Sequence, residues 1–183
     1  GVDGLFNDLI IFNDQSTVER SLFSTRFSDG DFVRSSNLVN KNFLGLSNTA
    51  AKASLLRYSA SHIPEDVIAF DWALYTRMVL ENATICYMDG APTYYRQHRG
   101  NVAGLGNISN KQIFKGTRIK ARHYDLFRPH GDPYDRLADD FVDLVSRLEL
   151  NGPFFRDYCR AVRKNSLESH LWWEAMKLPK EIG

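Results

Sequence analysis

The run DPYDRLADDFVDLVSRLELNG, residues 132–152, has one apolar stripe and one structure that suits it. Leu137, Phe141, Leu144, Val145 and Leu148 recur at helical spacing, and acids and arginines fill the rest of the circumference. Asp132 reads as the N-cap, Pro133 as the first helical residue, and Asn151-Gly152 as the stop. Such a helix is held by packing its stripe rather than by propensity, so it requires partners. They follow from the same pattern. After Gly104 and Gly106 the chain reads as helical to its end, over 111–128 and then near 153–164 and 166–177. Ahead of that point the periodicity differs. LFNDLIIFN at 5–13 is apolar and β-branched between Asn-Asp pairs, which predicts a buried strand of about five residues. Residues 14–36 read as a long loop, and 43–58 suits a strand or a helix equally. DWALYTRMVLEN at 71–82 is apolar on most sides through Trp72, Leu74, Tyr75, Met78 and Val79, a buried helix. TICYM at 84–88 and TYYRQH at 93–98 read as two short strands joined by the DGAP turn. The expected fold is α/β over 1–105, followed by an all-helical extension over 106–183.

Composition excludes more than it selects. A chain of 183 residues can hold one domain with a proper core, or one domain and a small appendage. With 43% hydrophobic and 25% charged residues it is ordinary for a soluble protein. The formal net charge of +1 supplies no global field for nucleic acid, so no nucleic-acid partner is expected and any basic site is local. Cys86 and Cys159 are too few for a disulfide framework and lack metal-ligand spacing, which fits a reducing, cytoplasmic setting. No apolar run reaches the length of a membrane span. The chain opens GVDG without methionine and reads as part of a longer protein.

Three places can carry chemistry. In YYRQHRGNV at 94–102, an extended backbone would put Tyr94, Arg96 and His98 on one face, with the last two about 7 Å apart. That suits two oxygens of a diphosphate: the guanidinium forks one phosphate, while the imidazole bonds the next or ligates a bridging divalent metal. Gly100 would admit the ligand and Asn101 donate to it. Solvated residues on an edge strand would look the same. Asp71 is the second place. It follows VIAF and opens an apolar helix, so it is either a helix N-cap or a general base held ionised at a helix N-terminus. The third is 111–128, with six Lys/Arg against one Asp. A solvated amphipathic face accounts for it. Peripheral contact with anionic lipid is the sharper reading, with Ile113, Phe114, Ile119, Leu126 and Phe127 on the membrane surface.

Taken in order, NFLGLSNTAAKASLLR and FDWALYTRMVLENATICYMDGAPTYYRQHRGNV resemble the acceptor-side half of family-2 glycosyltransferases, closest to the bacterial rhamnosyltransferase-like group that builds surface polysaccharide. Asp71-Trp72 opening a helix and the Tyr95-Arg96-x-His98-x-x-Asn101 run carry the resemblance, which covers roughly 5–105. It implies a partial GT-A-like mixed sheet with flanking helices. It implies Asp71 as the base in inverting sugar transfer, and Arg96, His98 and Asn101 at the donor diphosphate, with His98 a candidate ligand of Mg or Mn. Gly45 and Trp72 would lie on the acceptor side. The partners implied are a nucleotide-sugar donor and a glycan or lipid-linked acceptor, in a cytoplasmic, membrane-associated setting. Two departures stand out. Phe70 precedes the base where the family commonly has an acidic residue or His. The family's nucleotide-binding half, which ends in an Asp-x-Asp strand, is not here, and Asn13-Asp14-Gln15 does not match that motif. The chain is therefore expected to be a fragment that meets its metal only with the missing half. A non-catalytic glycan- or protein-binding module is the alternative, and a scaffold joined through the helical tail is a third reading.

Overall fold

A computed structural model describes residues 1–12, 17–19, 21–96, 108–166 and 172–182. The protein is mixed α/β. Its described residues fall into two compact units, Gly1–Asp66 with Phe70–Gly104, and Val67–Ala69 with Leu105–Gly183.

In the first unit the run LFNDLIIF is divided. Strand β1 is Gly4–Phe6 and β2 is Leu9–Phe12, and Asn7-Asp8 makes the break. The cause is Asp8. Its buried carboxylate accepts from the amides of Leu9 at 2.8 Å, Leu22 at 3.0 Å, Phe23 at 2.8 Å and Ser24 at 3.3 Å, and from the Ser21 hydroxyl. A strand cannot turn its backbone inward toward a side chain and also keep its ladder. Asn7 fixes the other side of the break, donating from Nδ2 to the Ala91 carbonyl at 2.6 Å and accepting from Thr93 Oγ1 at 3.0 Å.

Strand β3 (Thr17–Glu19) pairs with β2, and β4 (Thr49–Ala51) pairs with β1, both antiparallel. Strands β5 (Ile85–Tyr87) and β6 (Thr93–Arg96), joined by the DGAP segment, do not pair with each other. Each runs parallel to one half of the divided strand: Phe6 faces Tyr87 across β1 and β5, and Leu9 faces Thr93 across β2 and β6. The DGAP segment thus carries the chain past the Asn7-Asp8 break rather than reversing it. The result is two three-stranded sheets, β4-β1-β5 and β3-β2-β6. The ambiguous stretch 43–58 resolves into both alternatives, β4 and then helix α2 (Ala53–Ala60), after the single-turn α1 (Ser35–Leu38). Helix α3 is Phe70–Leu80, with Trp72, Ala73, Leu74, Tyr75, Thr76 and Met78 buried. An aromatic cluster fills the core, with Phe6 5.2 Å, ring centre to ring centre, from Phe27, Phe43 and Tyr87.

The second unit is helical: α4 (Asn110–Phe127), α5 (Tyr134–Leu150), α6 (Gly152–Ser166) and α7 (Trp172–Ala175), with short 3-10 turns at Arg128–His130 and Pro179–Glu181. Of the stripe in α5, Leu137, Phe141, Leu144 and Leu148 are buried and Val145 lies at its margin. Each buried side chain of this size stabilises by about 2 kcal/mol. The helix starts one residue later than its sequence suggests. Pro133 is the N-cap, and the Asp132 carboxylate turns instead to Arg136 Nε at 3.2 Å. Helix α4 begins with a reciprocal cap, in which Gln112 N donates to Ser109 Oγ at 3.2 Å and Ser109 N to Gln112 Oε1 at 2.9 Å. Its apolar side, read as a possible lipid contact, is engaged in packing: Ile113, Ile119 and Phe127 are buried, while Phe114 and Leu126 are partly covered. Lys111, Lys115 and Arg118 are solvated, as an amphipathic face requires. Lys120 is the exception. It is fully buried, donates from Nζ to the Met176 carbonyl at 2.8 Å, and sits 5.3 Å from the centre of the Phe141 ring. Burial pulls its ammonium down to about 7. Burial, and then the nearby Lys120 charge, hold the His123 imidazole well below its ordinary value, so it is neutral. Among the described residues no helix is long and apolar enough to cross a membrane.

Candidate functional site

Asp71 lies in the first turn of α3, one residue inside the start of the helix rather than at its cap. Its Oδ1 accepts from the Trp72 amide at 2.8 Å. Burial pushes the carboxyl above its usual value, against the amides of Trp72 and Asp71, which pull it down. The residue as a whole is intermediate in exposure.

The loop before β4 builds one wall. Phe43 and Leu44 are buried and anchor it, and Asn48, also buried, ties it together. Asn48 Oδ1 accepts from Gly45 N at 2.7 Å, while its Nδ2 donates to the Asn7 carbonyl at 3.0 Å and the Phe43 carbonyl at 3.1 Å. A Cβ at position 45 would sit 2.9 Å from that fixed Oδ1 and 4.0 Å from Asp71 Oδ2. Position 45 therefore has room for glycine alone, and the backbone passes close to the carboxylate. The structure thus brings two residues singled out in the sequence, Gly45 and Asp71, to one place. It adds Asn48, which stands in the same quoted segment but carries no signal of its own.

Two phenols stand near the same charge. Tyr75, one turn along α3, and Tyr95, on β6, are both raised, by burial first and with the Asp71 charge adding to it. Along β6 the side chains alternate as an extended strand demands: Thr93 and Tyr95 are half-buried, Tyr94 and Arg96 exposed. Tyr94 and Arg96 share a face as expected, but it is Tyr95, on the opposite face, that feels Asp71. His98 and Asn101 lie outside the described residues.

Trp72 does not line an acceptor site. Its side chain is wholly buried, with Nε1 donating to the Leu38 carbonyl at 2.7 Å, because it occupies the core side of α3. An Asp-x-Asp triplet does occur, at Asp29-Gly30-Asp31, beyond the first strands and unremarked at the level of sequence. Here it makes a turn: Gly30 has φ of +83°, Asp29 Oδ1 accepts from Asp89 N at 3.0 Å, and Asp31 Oδ2 accepts from Ser28 N at 2.7 Å. Among the described residues no group of three His, Cys, Asp or Glu side chains is arranged to hold a metal.

What this arrangement can do chemically is accept a proton. A part-buried carboxylate, oriented by the Trp72 amide and with a glycine beside it, can receive a hydroxyl brought against it. Set against family models, curated proteins and solved structures, the chain matches none of them.

Proposed function

We propose that this chain is the acceptor-side part of an inverting glycosyltransferase of GT-A type, moving a sugar from a nucleotide-diphosphate donor to a hydroxyl of a glycan or lipid-linked acceptor. One observation carries the reading: Asp71 is part-buried at the start of α3, its Oδ1 held by the Trp72 amide, and a Cβ added at Gly45 would come within 4.0 Å of its Oδ2. In this reading Asp71 takes the proton of the acceptor hydroxyl as its oxygen bonds the anomeric carbon. The bond from that carbon to the donor diphosphate breaks, and the diphosphate leaves with the electron pair. Burial makes the carboxylate a stronger base than a solvated one, and the amides around it favour the ionised form. Of the residues the resemblance sets at the donor diphosphate, Arg96 stands on the face of β6 opposite Tyr95, so no contact in the Asp71 site is assigned to it, and His98 and Asn101 lie beyond the described residues. No metal-dependent step is assigned to the described residues. A cytoplasmic location goes with this reading.

The experiment is Asp71→Asn in a version of the enzyme that carries a nucleotide-binding half, with transfer and donor binding measured separately. Transfer should fall at least about a hundredfold, the ordinary range for a lost general base. Donor affinity by calorimetry should stay as it was. Unchanged turnover overturns the assignment. The other reading, a glycan-binding module without catalysis, draws on Tyr94, 69% exposed with its ring 6.5 Å from Phe12, which offers a face for a sugar to stack on. It predicts that Tyr94→Ala abolishes glycan binding while Asp71→Asn leaves it intact.

A further inference from the structure

We propose that the sheet face carrying Tyr94, opposite Tyr95, is a carbohydrate-binding surface: a small pocket of hydrogen-bond acceptors takes one sugar unit and the Tyr94 ring is the platform for the next. The inference shares Tyr94 with the glycan-binding reading above, gives that reading a pocket, and holds whether or not Asp71 catalyses. Strand register sets the surface out. Ile10 pairs with Tyr94, and Phe12 with Arg96, across the parallel strands β2 and β6. Alternation puts Ile10 and Phe12 on one face. Tyr94 is on that face too, its ring meeting Phe12 at an edge-to-face angle with centres 6.5 Å apart. Most of Tyr94 remains exposed. Next to this pair is a cavity of about 230 Å³, lined by Asp8, Ile10, Ser24 and residues 89–92. Ile10 belongs to both features, so pocket and ring follow one another along the same face.

Hydrogen bonding decides what the pocket can take. The Asp8 carboxylate is occupied by backbone amides and by the Ser21 hydroxyl. Ser21 gives its one proton to Asp8, so Ser24 is the donor in the Ser21–Ser24 hydroxyl pair. The lone pairs of Ser24 are then left to accept. Asp89 Oδ1 accepts from Gly90 N at 2.8 Å, and among the described residues nothing bonds its Oδ2. The Asp89 amide is also in use, donating to Asp29 Oδ1 at 3.0 Å. What remains in the pocket is acceptors, next to two carboxylates. Such a place repels phosphate and suits a ligand rich in donors. An amine donates as well, but a cation gains most inside a cage of rings, and Tyr94 is an open platform with one ring beside it. A sugar chain meets both demands, with hydroxyls at the rim of each unit and an apolar C–H face to lie on the ring. The cavity is smaller than ordinary small-molecule pockets, so it admits a single unit and excludes a nucleotide.

The test is a titration of this chain with neutral trisaccharides of glucose, mannose and N-acetylglucosamine, followed by backbone amide resonances. The amides of Ile10, Ser24, Asp89, Gly90 and Tyr94 should shift with at least one of them. Tyr94→Ala and Asp89→Asn should each weaken that binding about tenfold or more, and Tyr94→Phe, which keeps the ring, should leave it nearly unchanged. Tyr94 and Asp89 are exposed, so these variants keep the fold. No shift at those amides with any of the three sugars overturns the proposal. So does binding that survives either Tyr94→Ala or Asp89→Asn undiminished. Tighter binding of choline at the same amides would make this a cation site and would also overturn it. The catalytic reading fails separately: Asp71→Asn would retain transfer while the sugar-induced shifts stayed as they were.

Discussion

The two units bury polar groups in opposite ways. In the α/β unit Asp8 is a buried carboxylate surrounded by donors, four backbone amides and a hydroxyl. In the helical unit Lys120 is a buried cation with a carbonyl and two aromatic rings near it, beside the buried His123 imidazole. The first arrangement replaces water bond for bond. The second leaves most of the hydration of an ammonium unreplaced, which is why its proton is held so loosely. Asp71 lies between the extremes. It has enough donors to stay oriented and enough exposure to meet another molecule. A structural acid is saturated with partners, whereas an acid that must accept a proton keeps an accessible side.

Substitutions can break or sharpen this contrast. The largest effect belongs to Asp8→Ala, which strips several amides of their acceptor at once. Each orphaned buried donor costs about 1–3 kcal/mol, so chemical denaturation should show a loss of about 3 kcal/mol or more. A loss under 1 kcal/mol would mean water replaces the carboxylate easily and the contrast fails. Next is Lys120→Met, which keeps the volume and removes the charge. Replacing a poorly compensated buried charge by an apolar chain should stabilise the protein by about 2 kcal/mol at pH 7. The sign follows from its lowered pKa. The unfolded chain holds the lysine proton up to the ordinary 10.5, the folded chain releases it near 7, so wild-type stability rises with pH across that window. The advantage of Lys120→Met should therefore shrink from pH 7 to pH 10. An advantage that grows with pH would reverse the argument. The smallest effect is Tyr134→Phe. Its buried hydroxyl finds no hydrogen-bond partner among the described residues, so thermal unfolding should show a gain of about 1 kcal/mol. A loss would reveal a partner for it.

Some of this was legible in the sequence and some was not, for reasons visible residue by residue. Helix α5 was, because one stripe of Leu and Phe admits one period. Helix α3 and strands β5 and β6 were, because their apolar runs are bounded by Asp, Asn, Gly and Pro, whereas β3 falls in the polar stretch 14–36 that reads as a loop. The pairing of β5 with β1 and β6 with β2 was not: a Gly-Pro turn between two short strands looks the same whether they form a hairpin or continue past a break. The break depends on Asp8, whose partners are thirteen to sixteen residues away. At the site, Asp71 stood out through its helix and Gly45 through the glycine. Asn48 did not, since an asparagine in a loop gives no sign of whether its amide serves solvent or a turn. Tyr95 was set aside for the opposite reason: alternation along β6 directed attention to the arginine face.

The pH dependence of sugar transfer, set beside the titration of Asp71 in the same protein, tests the central claim most directly. If Asp71 is the base, the rate rises with pH through the Asp71 midpoint, and the acid limb and the carboxyl titration coincide. If the rate climbs only at pH values where Asp71 is already fully ionised, another group takes the proton and the account is wrong.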